Sequence, residues 1–141
     1  MKYPIFLIFF LCLVHVNAQK STNNLTVTIT NLKNTKGEIE VGLYKNAENF
    51  ANPKLTFKKI RAKVTGNKMS VVFHKLEEGL YGICIYHDEN NNTICDRNFF
   101  GFPIEPYGFS KNARPIFSAP SFDRCAIKLE KETKISIKCT L

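Results

Sequence analysis

The chain has 141 residues, of which 44% are apolar, and a formal charge of +8; it carries 12 Phe, 5 Tyr and 5 Cys. That is one domain of ordinary size with enough apolar content for a packed core. Disordered, collagen-like and coiled-coil chains are excluded.

Lys2 is followed by an apolar run from Pro4 to Val14 and then by Val16-Asn17-Ala18. A positive start, a short apolar stretch and a small residue at the cut predict a secretory signal over residues 1–18, cleaved before Gln19. Residues 19–141 are then the single mature domain, exported to the periplasm or beyond the cell. The run is too short to span a bilayer and no later segment is longer, so no transmembrane helix is expected in the mature protein.

The dominant period in the rest of the chain is two. Leu25, Val27 and Ile29 alternate with threonines, and Ile39, Val41 and Leu43 alternate with Glu38, Glu40 and Gly42. Both read as half-buried strands, joined as a hairpin through Asn34-Thr35-Lys36-Gly37. Further strands are expected over Leu55 to Val64, Lys68 to Phe73 and Leu80 to His87, with turns at Asn52-Pro53, Gly66-Asn67 and Glu78-Gly79. The end of the chain reads as a closing hairpin. With the turn centred on Glu132, Cys125 falls opposite Cys139, Ile127 opposite Ile137, Leu129 opposite Ile135 and Glu130 opposite Lys134. The fold class predicted is an all-β antiparallel sandwich of about seven strands, Ig-like or transthyretin-like.

Four cysteines remain once the signal is removed: Cys84, Cys95, Cys125 and Cys139. An even count in an oxidising compartment predicts two disulfides, and the hairpin register favours Cys125 with Cys139 and Cys84 with Cys95. Four buried free thiols are the alternative, since Cys packs well as a small apolar residue.

Residues 88–121 differ from the strands, carrying Pro103, Pro106, Pro115 and Pro120 together with Gly101 and Gly108. So long a loop in a compact domain points to function. It opens with oxygen side chains at Asp88, Asn90, Asn92 and Asp96, at positions one, three, five and nine of a calcium loop, with the Ile94 carbonyl at seven. Thr93 stands where such a loop wants Gly and Phe99 where it wants Glu, so Glu105 is the candidate for the remaining carboxylate. The expected cofactor is Ca²⁺, set against a self-capped, Asx-rich turn.

His87 paired with Asp88 or Glu105, with Tyr107 and Ser110 nearby, would serve acid/base chemistry in a small hydrolase. No nucleophile, zinc or phosphate-loop motif accompanies them, so no catalytic residue is assigned. Candidate ligand-binding residues are His87, Tyr107, Phe109, Ser110 and Asn112. Phe99, Phe100, Phe102, Tyr107, Phe109, Phe117 and Phe122 crowd the same segment. They read as a cluster that pins the loop to the sheet or as a platform for sugar or peptide. Charge is uneven: residues 51–76 hold seven Lys or Arg and no acid, while residues 86–105 hold four acids against Arg97. A cationic strand face is expected, solvated or attracted to anionic lipid or polysaccharide, and an anionic loop end.

The segments His87-Asp88-Glu89-Asn90-Asn91-Asn92, Asp96, Gly101-Phe102-Pro103-Ile104-Glu105-Pro106-Tyr107-Gly108-Phe109-Ser110-Lys111-Asn112 and Pro120-Ser121-Phe122 resemble a family of small exported bacterial proteins of unknown function, DUF2141. The similarity runs over about residues 24–139. Asn91 and Thr93 stand where that family usually has Gly, Pro106 where it has Gly, and Lys111 where it has Asn. The resemblance implies an exported single-domain β-sandwich with no assigned reaction. The function expected is therefore a non-catalytic binding or structural module of the bacterial cell envelope. Its partner would be envelope polysaccharide, anionic lipid or another envelope protein, and not nucleic acid.

Overall fold

The computed structural model describes residues 23–141, so the expected signal over residues 1–18 lies outside the described residues. Leu25, Val27 and Ile29 are fully buried along β1 (Asn23–Thr30), and the threonines between them are half-buried, as period two demands. The strands that follow are β2 (Glu38–Tyr44), β3 (Lys58–Lys63), β4 (Lys68–Leu76), β5 (Gly79–Asp88), β6 (Tyr107–Phe109), β7 (Ile127–Leu129) and β8 (Thr133–Lys138). One short helical turn, α1 (Phe122–Cys125), precedes β7. Among the described residues no helix is long and apolar enough to cross a membrane.

The strands form two sheets, which makes the fold an all-β sandwich. The smaller sheet has the order β4-β1-β8, and the larger has the order β3-β2-β5-β6 with β7 on the first residues of β5. Ile39, Val41, Leu43, Ile83 and Ile85 from the larger sheet meet Leu25, Val27, Ile29, Phe73 and Ile137 from the smaller in one core. Burying side chains of this size stabilises by roughly 1.5 to 3 kcal/mol each.

Strand existence follows the sequence pattern, but pairing does not. Strands β1 and β2 are not a hairpin: β1 pairs with β4 and, in parallel, with β8, whereas β2 pairs with β3 and β5. The segment from Asn31 to Gly37 crosses from one sheet to the other. The closing hairpin also fails to form, because β7 pairs with β5 in one sheet and β8 with β1 in the other. Cys125 therefore sits on α1 and not opposite Cys139, which removes the register that favoured their disulfide. Cys84, Cys95, Cys125 and Cys139 are four free thiols here. The strand expected from Leu55 begins at Lys58 after a single 3-10 turn over Pro53–Leu55, and β6 lies inside the segment read as loop.

The larger sheet is covered on both faces at β2, where Ile39 to Tyr44 are all buried. Phe50, Phe109 and Phe122 form a second small cluster with Tyr44 on the outer face. It lies over Gly82, where a Cβ would meet the Phe50 ring at 2.5 Å.

Candidate functional site

The ends of β1, β3, β5 and β8 and the starts of β2 and β4 meet at one end of the sandwich. Glu38 at the start of β2 lies opposite Lys63 and Asp88, the last residues of β3 and β5, and Thr30 at the end of β1 lies opposite Lys68 and Lys138. The long loop leaves from Asp88 at this end and returns at Tyr107, which pairs with Tyr86.

Alternation sends Glu38, Glu40, Tyr86, Asp88 and Arg61 to the outer face of the larger sheet. Arg61 bonds all four: Glu38 through Nε at 2.8 Å, Glu40 through Nη1 at 2.9 Å, the Tyr86 hydroxyl through Nη1 at 3.2 Å, and Asp88 through Nη2. Burial acts to lower the Arg61 pKa, but the bonds to Asp88, Glu38, Glu40 and Tyr86 outweigh it and raise it. Asp88 is fully buried. Burial alone would raise its carboxyl, yet Arg61 and the amides of Thr93 and Asn92 hold it below the usual carboxylate range. Nothing local marks Arg61 as the centre of this cluster: it stands in a run of lysines, and only the β3–β2–β5 register brings the acids to it.

The first turn of the loop is stitched by its own side chains. Asp88 Oδ1 accepts from the Asn92 amide at 3.0 Å and Oδ2 from the Thr93 amide at 2.8 Å. Glu105 returns from across the loop to accept from the amides of Glu89 and Asp96, both at 3.0 Å. The side-chain amides of Asn90 and Asn92 donate to Asp96, while their oxygens accept from the amides of Asn92 and Ile94. Of the six residues expected to hold calcium, Asn90 and Asn92 meet Asp96, but through their side-chain N–H groups and not their oxygens. Asp88 and Glu105 direct their oxygens to backbone amides and Arg61, and Ile94 exposes its side chain. Among the described residues no group of three or more His, Cys, Asp or Glu is placed to hold a metal ion.

His87 is also fully buried, and it anchors the connector between the sheets. Its Nε2 lies 2.6 Å from the Lys36 carbonyl, which only accepts, so Nε2 carries the hydrogen. Its Nδ1 faces Glu89 Oε1 at 3.7 Å and makes no hydrogen bond. Ser110 donates to the Cys125 carbonyl at 2.6 Å and accepts from the Ile83 amide at 3.0 Å, tying α1 to β5. Asn112 accepts from the Lys138 amide at 2.8 Å, and Tyr107 and Phe109 stack edge to face along β6. The candidate ligand-binding set is thus brought close in the fold, but His87, Phe109 and Ser110 are buried within it.

The aromatic residues divide. Phe109 and Phe122 pin the segment to the sheet as expected, but Phe99, Phe100 and Phe117 are 97%, 79% and 93% exposed. Phe99 and Phe100 ride on a tight hairpin closed by the Arg97–Pro103 bridge. Asn98 Oδ1 accepts from the amides of Phe100 and Phe102, both at 3.0 Å, and Arg97 Nη1 donates to the Gly101 carbonyl at 2.9 Å. The acids of the loop end are each held in place, Asp88 by Arg61 and by amides, Asp96 and Glu105 by amides alone, which leave their charge intact.

Fold and site together define a small β-sandwich in which two buried carboxylates, Asp88 and Glu105, hold one long loop by its amides. The chain belongs to the family described as an uncharacterised protein conserved in bacteria, DUF2141, whose profile matches residues 27–137. No curated protein and no solved structure matches it. At Asn91, Thr93 and Lys111 φ is 59°, 66° and 58°. Each holds a left-handed turn that Gly or Asn adopts most readily.

Proposed function

We propose that this protein is an exported, non-catalytic binding module of the bacterial cell envelope, with the end formed by residues 88–106 as its binding face. The observation that carries the reading is the contrast at that end. His87, Asp88 and Ser110 have no exposed surface and Glu105 has 6%, whereas Phe99 and Phe100 stand almost wholly in solvent on a hydrogen-bonded tip. Groups that would do acid/base work are committed to internal bonds, Asp88 and Glu105 to the loop, His87 to the connector and Ser110 to α1 and β5, and the loop presents contact area. Export rests on the signal pattern at residues 1–18 and on the family resemblance.

Fractionation of cells expressing the full chain tests this. The expected result is a processed chain in the periplasm or envelope, whose retention there falls when Phe99 and Phe100 are replaced by Ser. A chain confined to the cytoplasm overturns the reading.

A second element concerns Ca²⁺, which rests on the spacing of oxygen side chains at Asp88, Asn90, Asn92 and Asp96; to bind it, Asn90 and Asn92 would have to turn their oxygens, in place of their N–H groups, toward Asp96. The donor chemistry suits a hard cation. With one carboxylate in that cluster, affinity would fall in the millimolar range of extracellular sites, about 0.1 to 1 mM. The ion would brace the loop that carries the tip.

A further inference from the structure

We infer that the tip at Phe99 and Phe100 enters the surface of an anionic lipid bilayer, drawn there by lysines and an arginine at the same end of the sandwich. This rests on the binding-module reading and names its partner. Besides the two nearly bare rings, which meet edge to face at 5.6 Å, Phe102 and Ile104 are 56% and 54% exposed, so four apolar side chains reach solvent along this short segment. The tip is stiff, and its two rings stand free in solvent. Five hydrogen bonds between Arg97 and Phe102 fix its backbone, so the rings are presented without further ordering.

Area and charge choose the occupant. Three Phe side chains of roughly 150 to 250 Å² each, two nearly bare and one half-covered, offer about 400 to 500 Å². That is well short of the ~800 Å² per partner of a stable protein interface, and two free-standing rings would need a matching groove. A bilayer surface needs none, and takes apolar side chains about 5 to 10 Å into the headgroup boundary. The six exposed cations at this end are Lys33, Lys36, Lys63, Lys68, Arg97 and Lys138. None forms an ion pair among the described residues, where the acids of the loop are engaged by Arg61 or by amides. Glu89 accepts from the Asn34 side chain at 2.9 Å. Amide bonds leave the carboxylates charged, so with Arg61 these cations outnumber the acids Glu38, Glu40, Asp88, Glu89, Asp96 and Glu105 only slightly; the unpaired cations are the exposed ones, and each near an anionic surface adds to binding.

The test is sedimentation of the exported chain with vesicles of phosphatidylglycerol and phosphatidylethanolamine, and with vesicles of phosphatidylcholine alone. Binding is expected to the first and to be weakened by salt. Phe99→Ser/Phe100→Ser should lower the partition at least about tenfold, since each ring loses transfer free energy. Lys36→Gln/Lys63→Gln should cost about fivefold per charge on the anionic vesicles only. Both variants change exposed side chains, carry the same N-terminal segment as the wild type, and should melt with it. Absence of binding, or equal binding by the double Phe variant, overturns the inference. Phe-dependent dimers in sedimentation velocity, or Phe-dependent capture on purified peptidoglycan without vesicle binding, overturn the lipid partner and leave the binding module standing. A chain retained in the cytoplasm overturns both.

Discussion

Arg61 of β3 reaches across β2 to bond Asp88 at the end of β5, so the guanidinium joins three strands where the long loop begins. Asp88 is fully buried and the Arg61 side chain is 20% exposed, so water screens this pair weakly.

Removal of the cation should therefore be costly. Arg61→Met leaves Asp88 buried without its partner and is expected to destabilise by roughly 2 to 4 kcal/mol. Urea unfolding measures this. Arg61→Met/Asp88→Asn should recover part of the loss, because the double variant buries no unpaired charge. A single-variant effect under 1 kcal/mol would show that water replaces the bond.

Gly37 ends the connector between the sheets, with φ +61°, and a Cβ placed there would lie 1.8 Å from the Asp88 carbonyl oxygen. Backbone cannot move aside as a side chain does. Gly37→Ala should thus disrupt the loop end, whereas Gly101→Ala, with φ +84° and nothing within 4 Å, carries only the cost of the left-handed backbone, about 1 to 2 kcal/mol. Equal losses in thermal unfolding would contradict the steric account.

How far the sequence discloses this arrangement follows from the range of each signal. Alternation at Leu25, Val27 and Ile29 is local, and it gives both the strand and its buried face. It says nothing of which strand pairs with which, and the parallel register of Val27 with Ile135 joins residues more than a hundred positions apart. The same blindness makes Ile127 to Ile137 look like a hairpin, though the two arms serve opposite sheets. Strand β6 is three residues long, too short for a period. In the site, the Asx spacing from Asp88 to Asp96 is legible because the turn is made by its own side chains. Arg61 is not, since its partners come from β2 and β5. The exposure of Phe99 and Phe100 is invisible for another reason: composition counts aromatic residues without saying which of them find the sheet.

Thr93 shows a local misfit with a direct test. It is β-branched with φ 66°, and only its amide serves the loop, by donating to Asp88. Thr93→Gly keeps that amide and relieves the strain, so it is expected to stabilise by about 1 kcal/mol in chemical denaturation, net of the added entropy of the unfolded chain. Destabilisation would mean that the side chain holds the turn.

Calcium is tested by thermal unfolding in EDTA and in millimolar Ca²⁺. An ion that binds only the folded chain adds about 1.4 to 2.7 kcal/mol at ten to a hundred times its dissociation constant. The rise in midpoint should vanish in Asp96→Ala, which removes the carboxylate on which Asn90 and Asn92 converge. Asp88→Ala should remove it as well, with a separate loss in EDTA from the broken Arg61 bond. No rise at 10 mM, far above the roughly 0.1 to 1 mM expected, would leave the Asx bonds alone to shape the loop.

Alkaline pH should weaken the fold through its buried acids. Burial raises the thiols of Cys95 and Cys125 to about 11 and that of Cys139 to about 12, and raises the Cys84 thiol further still. Burial likewise lifts the Tyr44 hydroxyl to about 12, even though Thr56 bonds it. Each group holds its proton more tightly folded than unfolded, so its contribution is complete below the unfolded pKa of about 8.5 for Cys and 10 for Tyr. It is lost as pH rises through the folded values, and the unfolding midpoint of the reduced protein should fall steadily between about pH 9 and 12. Cys139→Val replaces the most enclosed of the core thiols with an apolar group, and should flatten that slope without changing the midpoint at pH 7 by more than a few degrees. A slope unchanged by this substitution would assign the alkaline loss to the tyrosines and the remaining thiols. Iodoacetamide gives an independent reading. The thiolate is the reactive form, so the native protein should label slowly at pH 8 and rapidly at all four cysteines once urea unfolds it.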